Sequence, residues 1–184
     1  MIVAEDWPAE VLEFWLEETP KERWFKKDAG FDREVRRRFL ALHEILAGQT
    51  SETLFADART ALAAIIVLDQ MSRNMFRDSP RAFATDAKAQ GIAVAAVAKG
   101  FDRGMTKDER MFCYLPFEHA EDPQSQARGV ALMAALRDPE LTKWAEAHKA
   151  IIDRFGRFPH RNAVLGRAST PEEVEFLKEP GSSF

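Results

Sequence analysis

Residues 59–71 read RTALAAIIVLDQM, and apolar side chains fill every position from Ala61 to Leu68. A helix that is apolar all round is a buried helix, whereas a surface helix keeps one polar face. This apolar run is also far shorter than the roughly 20 residues that span a bilayer. We therefore expect a buried central helix with amphipathic helices packed around it.

Helix starts are marked repeatedly along the rest of the chain. Proline at the first helical position is favourable because its missing N–H would have no helical partner, and a preceding Asp, Ser or Thr caps the remaining donors. Two threonines are also followed three residues later by glutamate, as a capping box requires. The proline starts are Pro8, Ser79-Pro80, Asp122-Pro123, Asp138-Pro139 and Thr170-Pro171, and the capping boxes are Thr106 with Glu109 and Thr170 with Glu173.

The apolar spacing between these starts is helical. A stripe of Phe31, Val35, Phe39, Leu42 and Leu46 ends at Gly48, and no segment alternates as a strand does. The spacing predicts further helices over 80–99, from Thr106 to an interruption at Pro116, and over 123–136, 139–155 and 172–178. We expect an all-α single domain over residues 1–184, with about eight helices in an orthogonal or superhelical array, no sheet, and a loose tail over 180–184.

Composition narrows the class of protein. The chain has 184 residues, 46% of them hydrophobic and 30% charged, with a formal net charge of −4. These are ordinary globular values, and the acidic balance argues against nucleic acid as a partner. A single cysteine, Cys113, allows no internal disulfide and is typical of a small core residue. The N-terminus lacks a signal-peptide pattern, so we expect a cytoplasmic protein that does not bind membranes. Its oligomeric state is not indicated.

The first polar cluster follows the central apolar run and comprises Asp69, Gln70, Arg73, Asn74 and Arg77. Buried charges must be paired or hydrogen-bonded, because an isolated buried ion costs several kcal/mol. The cluster is therefore either a neutralised structural network, the interpretation we favour, or one wall of a pocket.

The second polar cluster lies in residues 114–122, YLPFEHAED. Glu118, His119 and Glu121 are candidates for acid–base chemistry, with Asp122 already assigned to a helix cap. Adjacent Glu118 and His119 cannot share one helical face, and a His-Glu-x-x-His pattern is absent, so no metal site is predicted.

The third polar cluster is the segment 155–167, FGRFPHRNAVLGR. Phe155, Phe158 and Pro159 should anchor this loop to the core and so hold Arg157 and Arg161 in place. Fixed guanidinium groups recognise carboxylates and phosphates through forked hydrogen bonds. The preceding helix carries His148 on an apolar stripe, a position more typical of a hydrogen-bonded core histidine than of a ligand contact. The glycine spacing fits neither a P-loop nor a dinucleotide-binding turn.

Taken together, these stretches resemble the bacterial family known as domain of unknown function 924. The most specific match is GRFPHRN at 156–162. The other matching stretches are VLEFW at 11–15, WF at 24–25, LDQMSRN at 68–74, Ala82-Phe83 with Asp86, LPFEHAED at 115–122, and the remainder of 155–167. The resemblance implies an all-helical, tetratricopeptide-like fold and implies no reaction, cofactor or substrate.

Three functional hypotheses follow. The leading one is a binding protein for a small anionic ligand or an acidic peptide end, with the clusters meeting in one polar pocket lined by Asp69, Arg73, Asn74, Arg77, His148, Arg157, His160 and Arg161. The second is a hydrolase-like enzyme that uses a histidine–carboxylate pair, with or without the help of a metal ion. Its catalytic candidates are His119, Glu118, Glu121 and His160, and any cofactor is unidentified. The third is a helical protein–protein interaction module.

Overall fold

The computed structural model describes residues 6–183, and over that range it contains eight helices and no strand. The all-α prediction is confirmed. Helix α1 is Trp7–Leu12, continued by a π-helical segment, Glu13–Glu18; α2 is Ala29–Gly48; α3 joins Ala58–Ile65, a π-helical Ile66–Met71 and Ser72–Met75; α4 is Asp86–Ala98; α5 is Lys107–Glu118; α6 is Pro123–Ala134; α7 is Pro139–Phe155; and α8 is Pro171–Phe176. Short 3₁₀ turns cover Lys21–Arg23, Ser51–Phe55, Pro80–Phe83, Phe101–Gly104 and Pro159–Arg161.

Most helix starts follow the local signals. The Asp122 and Asp138 side chains accept backbone N–H groups at the starts of α6 and α7. Thr170 and Glu173 form the predicted reciprocal capping box, and Thr106 and Glu109 form the other. The helix predicted over 80–99 is instead a 3₁₀ turn, Pro80–Phe83, followed by α4 from Asp86.

Pro116 does not interrupt its helix as predicted, because α5 continues through it to Glu118. A proline inside a helix removes one N–H donor and normally kinks or breaks the helix. Residues 111–118 are all buried, however, and tertiary packing supplies most helical stability in proteins. Burial of this segment therefore outweighs the local signal.

The described residues fall into two compact units. The N-terminal unit comprises residues up to Arg77 together with Arg81–Pro116, and the C-terminal unit comprises Asp78–Pro80 together with the residues from Phe117 onward. The single-domain prediction for residues 1–184 stays a prediction, as do the tetratricopeptide-like array and the loose tail. Within that tail Ser182 is buried, and its hydroxyl donates to the Leu177 carbonyl at 3.2 Å.

Helix α3 forms the core of the N-terminal unit. Every residue from Ala61 to Leu68 is at most 1% exposed, and α3 packs against α1, α2 and α4. The central buried helix predicted from residues 59–71 is therefore present. None of the described helices is long and apolar enough to cross a membrane.

In the C-terminal unit α6 packs along α7. Ile151 and Ile152 of α7 meet Phe158 of the following loop, and Phe155 and Phe176 flank them. Gly156 ends α7 with a φ of 69°, a left-handed conformation that glycine adopts without strain. The chain can therefore turn sharply and bring Phe158 back onto the helix it has just left.

Candidate functional site

The first polar cluster is an ion-pair network inside the N-terminal unit. Arg73 donates through both terminal nitrogens to Asp86, at 2.9 and 3.0 Å, and through one of them to the Asp69 carbonyl at 2.6 Å. The Asp69 carboxylate is fully buried and lies 3.4 Å from the same guanidinium nitrogen. Burial acts to lower the pKa of Arg73, but the Asp69 and Asp86 carboxylates outweigh it and raise that pKa.

Asp32 is the second anchor of this network. Arg77 donates to both of its carboxylate oxygens, at 2.6 and 2.8 Å, and the Asn74 amide donates to one of them at 2.8 Å. These contacts support the structural interpretation of Asp69, Arg73, Asn74 and Arg77. Sequence reasoning missed both acidic partners, although Asp86 stands in one of the stretches that carry the family resemblance.

The second and third polar clusters come together in the C-terminal unit. His148, His160 and Arg161 lie around the buried Phe158 ring, and His119 lies beside His148. We call these four residues the histidine cluster. The His148 and His160 ring centroids lie 5.8 and 5.6 Å from the Phe158 centroid, and the Arg161 guanidinium carbon lies 4.5 Å from it. The His119 ring lies 6.2 Å from that of His148.

His148 is the buried histidine of the cluster. Its Nδ1 lies 2.8 Å from the Trp144 carbonyl and 3.5 Å from a Glu118 carboxylate oxygen. The closer carbonyl accepts the Nδ1 proton, which assigns the lone pair to Nε2 in the neutral ring. Burial lowers the pKa of His148 to about 3, and the positive charges of His119, Arg161 and His160 act in the same direction. His148 is therefore a neutral, hydrogen-bonded core histidine near pH 7.

Glu121 accepts hydrogen bonds from two residues of the segment 155–167, which carries His160 and Arg161. Arg167 donates to both of its carboxylate oxygens, at 2.6 and 2.9 Å, and the Phe158 backbone N–H donates to one of them at 2.8 Å. Burial acts to raise the pKa of Glu121, but these hydrogen bonds outweigh it and lower that pKa. Glu121 is thus a structural anion, already supplied with donors, rather than an available base.

Arg157 is occupied in a similar way. It donates to both carboxylate oxygens of the buried Glu173, at 2.7 and 2.8 Å, and to the Ala168 carbonyl at 2.9 Å. The hydrogen bonds from Arg157 lower the pKa of Glu173 to about 2. Asn162 also donates to Glu173, at 3.3 Å. Arg157 therefore braces the loop against the start of α8.

Two reactive chemistries lack support in the described residues. No group of three or more histidine, cysteine or carboxylate side chains within residues 6–183 is arranged to hold a metal ion. Cys113 is buried, and burial raises the pKa of its thiol to about 12. Because the thiolate is the nucleophilic form, Cys113 is an unreactive core residue at neutral pH.

A sequence model of a bacterial protein family of unknown function (DUF924) matches residues 11–181. The chain belongs to this family. A solved structure of a protein of unknown function from Agrobacterium tumefaciens, ATU0120, is 40% identical and superposes with a TM-score of 0.87, covering 93% of this chain and 96% of that one. No match is found among curated proteins.

The DUF924 segment GRFPHRN therefore has a clear structural content. Arg157 pairs with Glu173, and Arg161 belongs to the histidine cluster. Asn162 hydrogen-bonds to both Arg167 and Glu173. Of the predicted site residues, His119, His148, His160 and Arg161 come together here. Asp69, Arg73, Asn74 and Arg77 belong to the other unit.

Proposed function

We propose that this DUF924 protein binds a small anion, of the phosphate or carboxylate class, at the histidine cluster. The observation that carries the proposal is the grouping of His119, His160 and Arg161 around Phe158 and His148. His148, His160 and the Arg161 guanidinium lie 4.5–5.8 Å from the Phe158 ring centroid, and the His119 ring lies 6.2 Å from that of His148. Arg161 carries a permanent positive charge, and His119 and His160 are side chains that can take up a proton. Because neighbouring positive charges repel one another, such a group resists protonation when it is alone and attracts an anion.

The side chains of the proposed site differ in their burial. Arg161 is 6% exposed and donates to the His119 carbonyl at 3.1 Å, which joins the loop to the end of α5. His119 and His160 are half-buried, and the Nδ1 atom of His160 is itself buried. Preorganised donors bind an anion without the entropy cost of ordering flexible side chains.

Two carboxylates lie near the proposed site, and an arginine pairs with one of them. Glu121 pairs with Arg167, and Glu118 is buried against His148. The Glu118–His148 contact is also the histidine–carboxylate pair that a hydrolase would use. Because both side chains are buried and the Trp144 carbonyl is the closer partner of Nδ1, we rank the hydrolase hypothesis second.

Phosphate and citrate titrations followed by calorimetry test the proposal. In the double variant His119→Gln/His160→Gln we expect binding weaker by about tenfold or more, because a hydrogen bond to a charged group contributes about 1.5–3 kcal/mol.

Two other arginine variants serve as controls. Arg154→Gln removes an exposed cation of the same unit, which pairs with Glu172, and should leave anion binding unchanged. Arg157→Gln should lower the melting temperature, because buried Glu173 loses its guanidinium, and should still allow binding. If neither anion binds the wild-type protein, or if the double variant binds as well as wild type, the proposal is wrong.

A further inference from the structure

A cavity in the N-terminal unit is separate from the histidine cluster and from the Asp69 network. Its volume is about 190 Å³, and residues of α1, α3, the 3₁₀ turn Phe101–Gly104 and α5 line it. The walls are apolar and come from Leu12, Leu62, Phe101 and Met105. Leu12, Leu62 and Met105 are at most 8% exposed, whereas the side of the cavity lined by Arg59 and Gly104 is open to solvent.

The size of the cavity sets the size of its ligand. A dry cavity of about 150 Å³ lined by Leu, Ile and Phe side chains is large enough to bind benzene. This cavity is somewhat larger, and the exposed Arg59 and Gly104 place part of its lining at the protein surface. One aromatic ring or branched aliphatic chain therefore fits inside, with a polar head group at the surface.

Two opposite charges line the same cavity without pairing with each other. Among the described residues Arg59 makes no ion pair within 4.0 Å. The Asp57 carboxylate accepts the Arg59 and Thr60 backbone N–H groups, and the Arg59 charge contributes only the smallest of the effects that lower the pKa of Asp57. Glu109 is held in place by the capping box, in which one carboxylate oxygen accepts the Thr106 N–H at 2.7 Å. A guanidinium and a fixed carboxylate thus face one apolar volume.

We propose that this cavity binds an apolar α-amino acid as its zwitterion. The ligand carboxylate pairs with Arg59, the ammonium group pairs with Glu109, and the apolar side chain lies among Leu12, Leu62, Phe101 and Met105. Arginine binds carboxylates through two parallel hydrogen bonds, and an ammonium group donates well to a carboxylate. A ligand that carries only one of the two charges leaves either Arg59 or Glu109 uncompensated.

Three small probes distinguish the contribution of the ligand carboxylate from that of its ammonium group. L-phenylalanine carries both charges, 3-phenylpropanoate lacks the ammonium group, and 2-phenylethylamine lacks the carboxylate. We expect saturable shifts of the Leu62 and Met105 amide signals in NMR titrations, with L-phenylalanine binding about tenfold or more tightly than either analogue.

Two charge variants then have opposite signatures. Arg59→Gln should weaken L-phenylalanine and 3-phenylpropanoate by about tenfold and leave 2-phenylethylamine unchanged. Glu109→Gln should weaken L-phenylalanine and 2-phenylethylamine instead. Glutamine also serves at this position of a capping box, so Glu109→Gln keeps the helix start. Arg103→Gln, on an exposed arginine that does not line the cavity, is the matched control.

A steric variant tests the cavity itself. Gly104 lines it, its backbone is outside the left-handed region, and a Cβ there meets nothing within 4 Å. Gly104→Leu should therefore fold normally and abolish binding of all three probes. Gly91→Leu, at an exposed glycine of α4 with equally open surroundings, should have no effect on binding.

Three results would overturn the inference. One is the absence of saturable shifts with millimolar L-phenylalanine. Another is equal weakening of all three probes by both charge variants, and the third is retained binding in a folded Gly104→Leu protein. Phosphate binding at the histidine cluster is measured separately and does not depend on any of these outcomes.

Discussion

Replacing Arg73 by methionine should lower the free energy of unfolding by about 3–5 kcal/mol, because it leaves a buried carboxylate without its partner. Asp69 is fully buried, and Asp86 receives two hydrogen bonds from the same guanidinium. Methionine retains much of the aliphatic length, so the effect reports the lost charge more than lost packing. Urea unfolding of wild type and variant measures the difference.

Arg81→Met is the matched control for that experiment. Arg81 pairs with Glu44, but both side chains are more than half exposed. Exposed ion pairs contribute about 0–1 kcal/mol, so this variant should lie within about 1 kcal/mol of wild type. Adding Asp69→Asn to Arg73→Met should recover part of the loss, because it removes the uncompensated buried charge.

The comparison also separates the two interpretations of the first polar cluster. If Arg73→Met costs no more than Arg81→Met, then Arg73 is not a structural brace. A ligand-binding role for Asp69, Arg73, Asn74 and Arg77 would then be the better interpretation. A large loss of stability would instead place the family stretch LDQMSRN among the determinants of the fold.

Local signals predicted most of the fold because their physical cause is local. A side-chain cap at Asp138 or a capping box at Thr170 involves residues two or three positions apart, and these starts were predicted correctly. The prediction at Pro116 was wrong because the burial of residues 111–118 outweighed the local effect of the proline, and burial depends on distant parts of the chain. The confirmed all-α class depends on periodicity, which is also readable over short windows.

The candidate sites depend on contacts that no short window contains. Arg77 pairs with Asp32 across 45 positions, and Arg167 pairs with Glu121 across 46. Sequence reasoning identified the charged residues but not their partners. It did not predict that Arg157 donates to Glu173, and the ligand role predicted for Arg157 stays a prediction. The N-terminal cavity was not predicted, because its lining comes from four separate segments.

The stability of the protein should fall as the pH is lowered from about 6.5, and His148 should supply a large part of that fall. An unfolded histidine has a pKa near 6.5, whereas burial holds that of folded His148 at about 3. Between these values the unfolded chain binds a proton that the folded chain does not, so acid favours unfolding. The full contribution is present above pH 6.5 and is lost toward pH 3, at up to about 1.4 kcal/mol per pH unit.

His148→Asn isolates this contribution, because the asparagine amide can donate to the Trp144 carbonyl as Nδ1 does. Unfolding should be measured between about pH 7.5 and 5.5, because the Glu173 and Glu121 carboxylates, whose pKa values are lowered in the folded state, begin to lose their own contributions at about pH 5. His43 is also buried with a lowered pKa, so it contributes separately to the dependence of stability on pH. The variant His43→Asn measures that second contribution. We expect His148→Asn to flatten the dependence of stability on pH even where its stability at pH 7 is lower. The contrary outcome is an unchanged slope together with a His148 ring signal that titrates near pH 6.5 in NMR. The His148 ring would then be solvated and would take up a proton normally, and the proposed anion site would lose its buried neutral histidine.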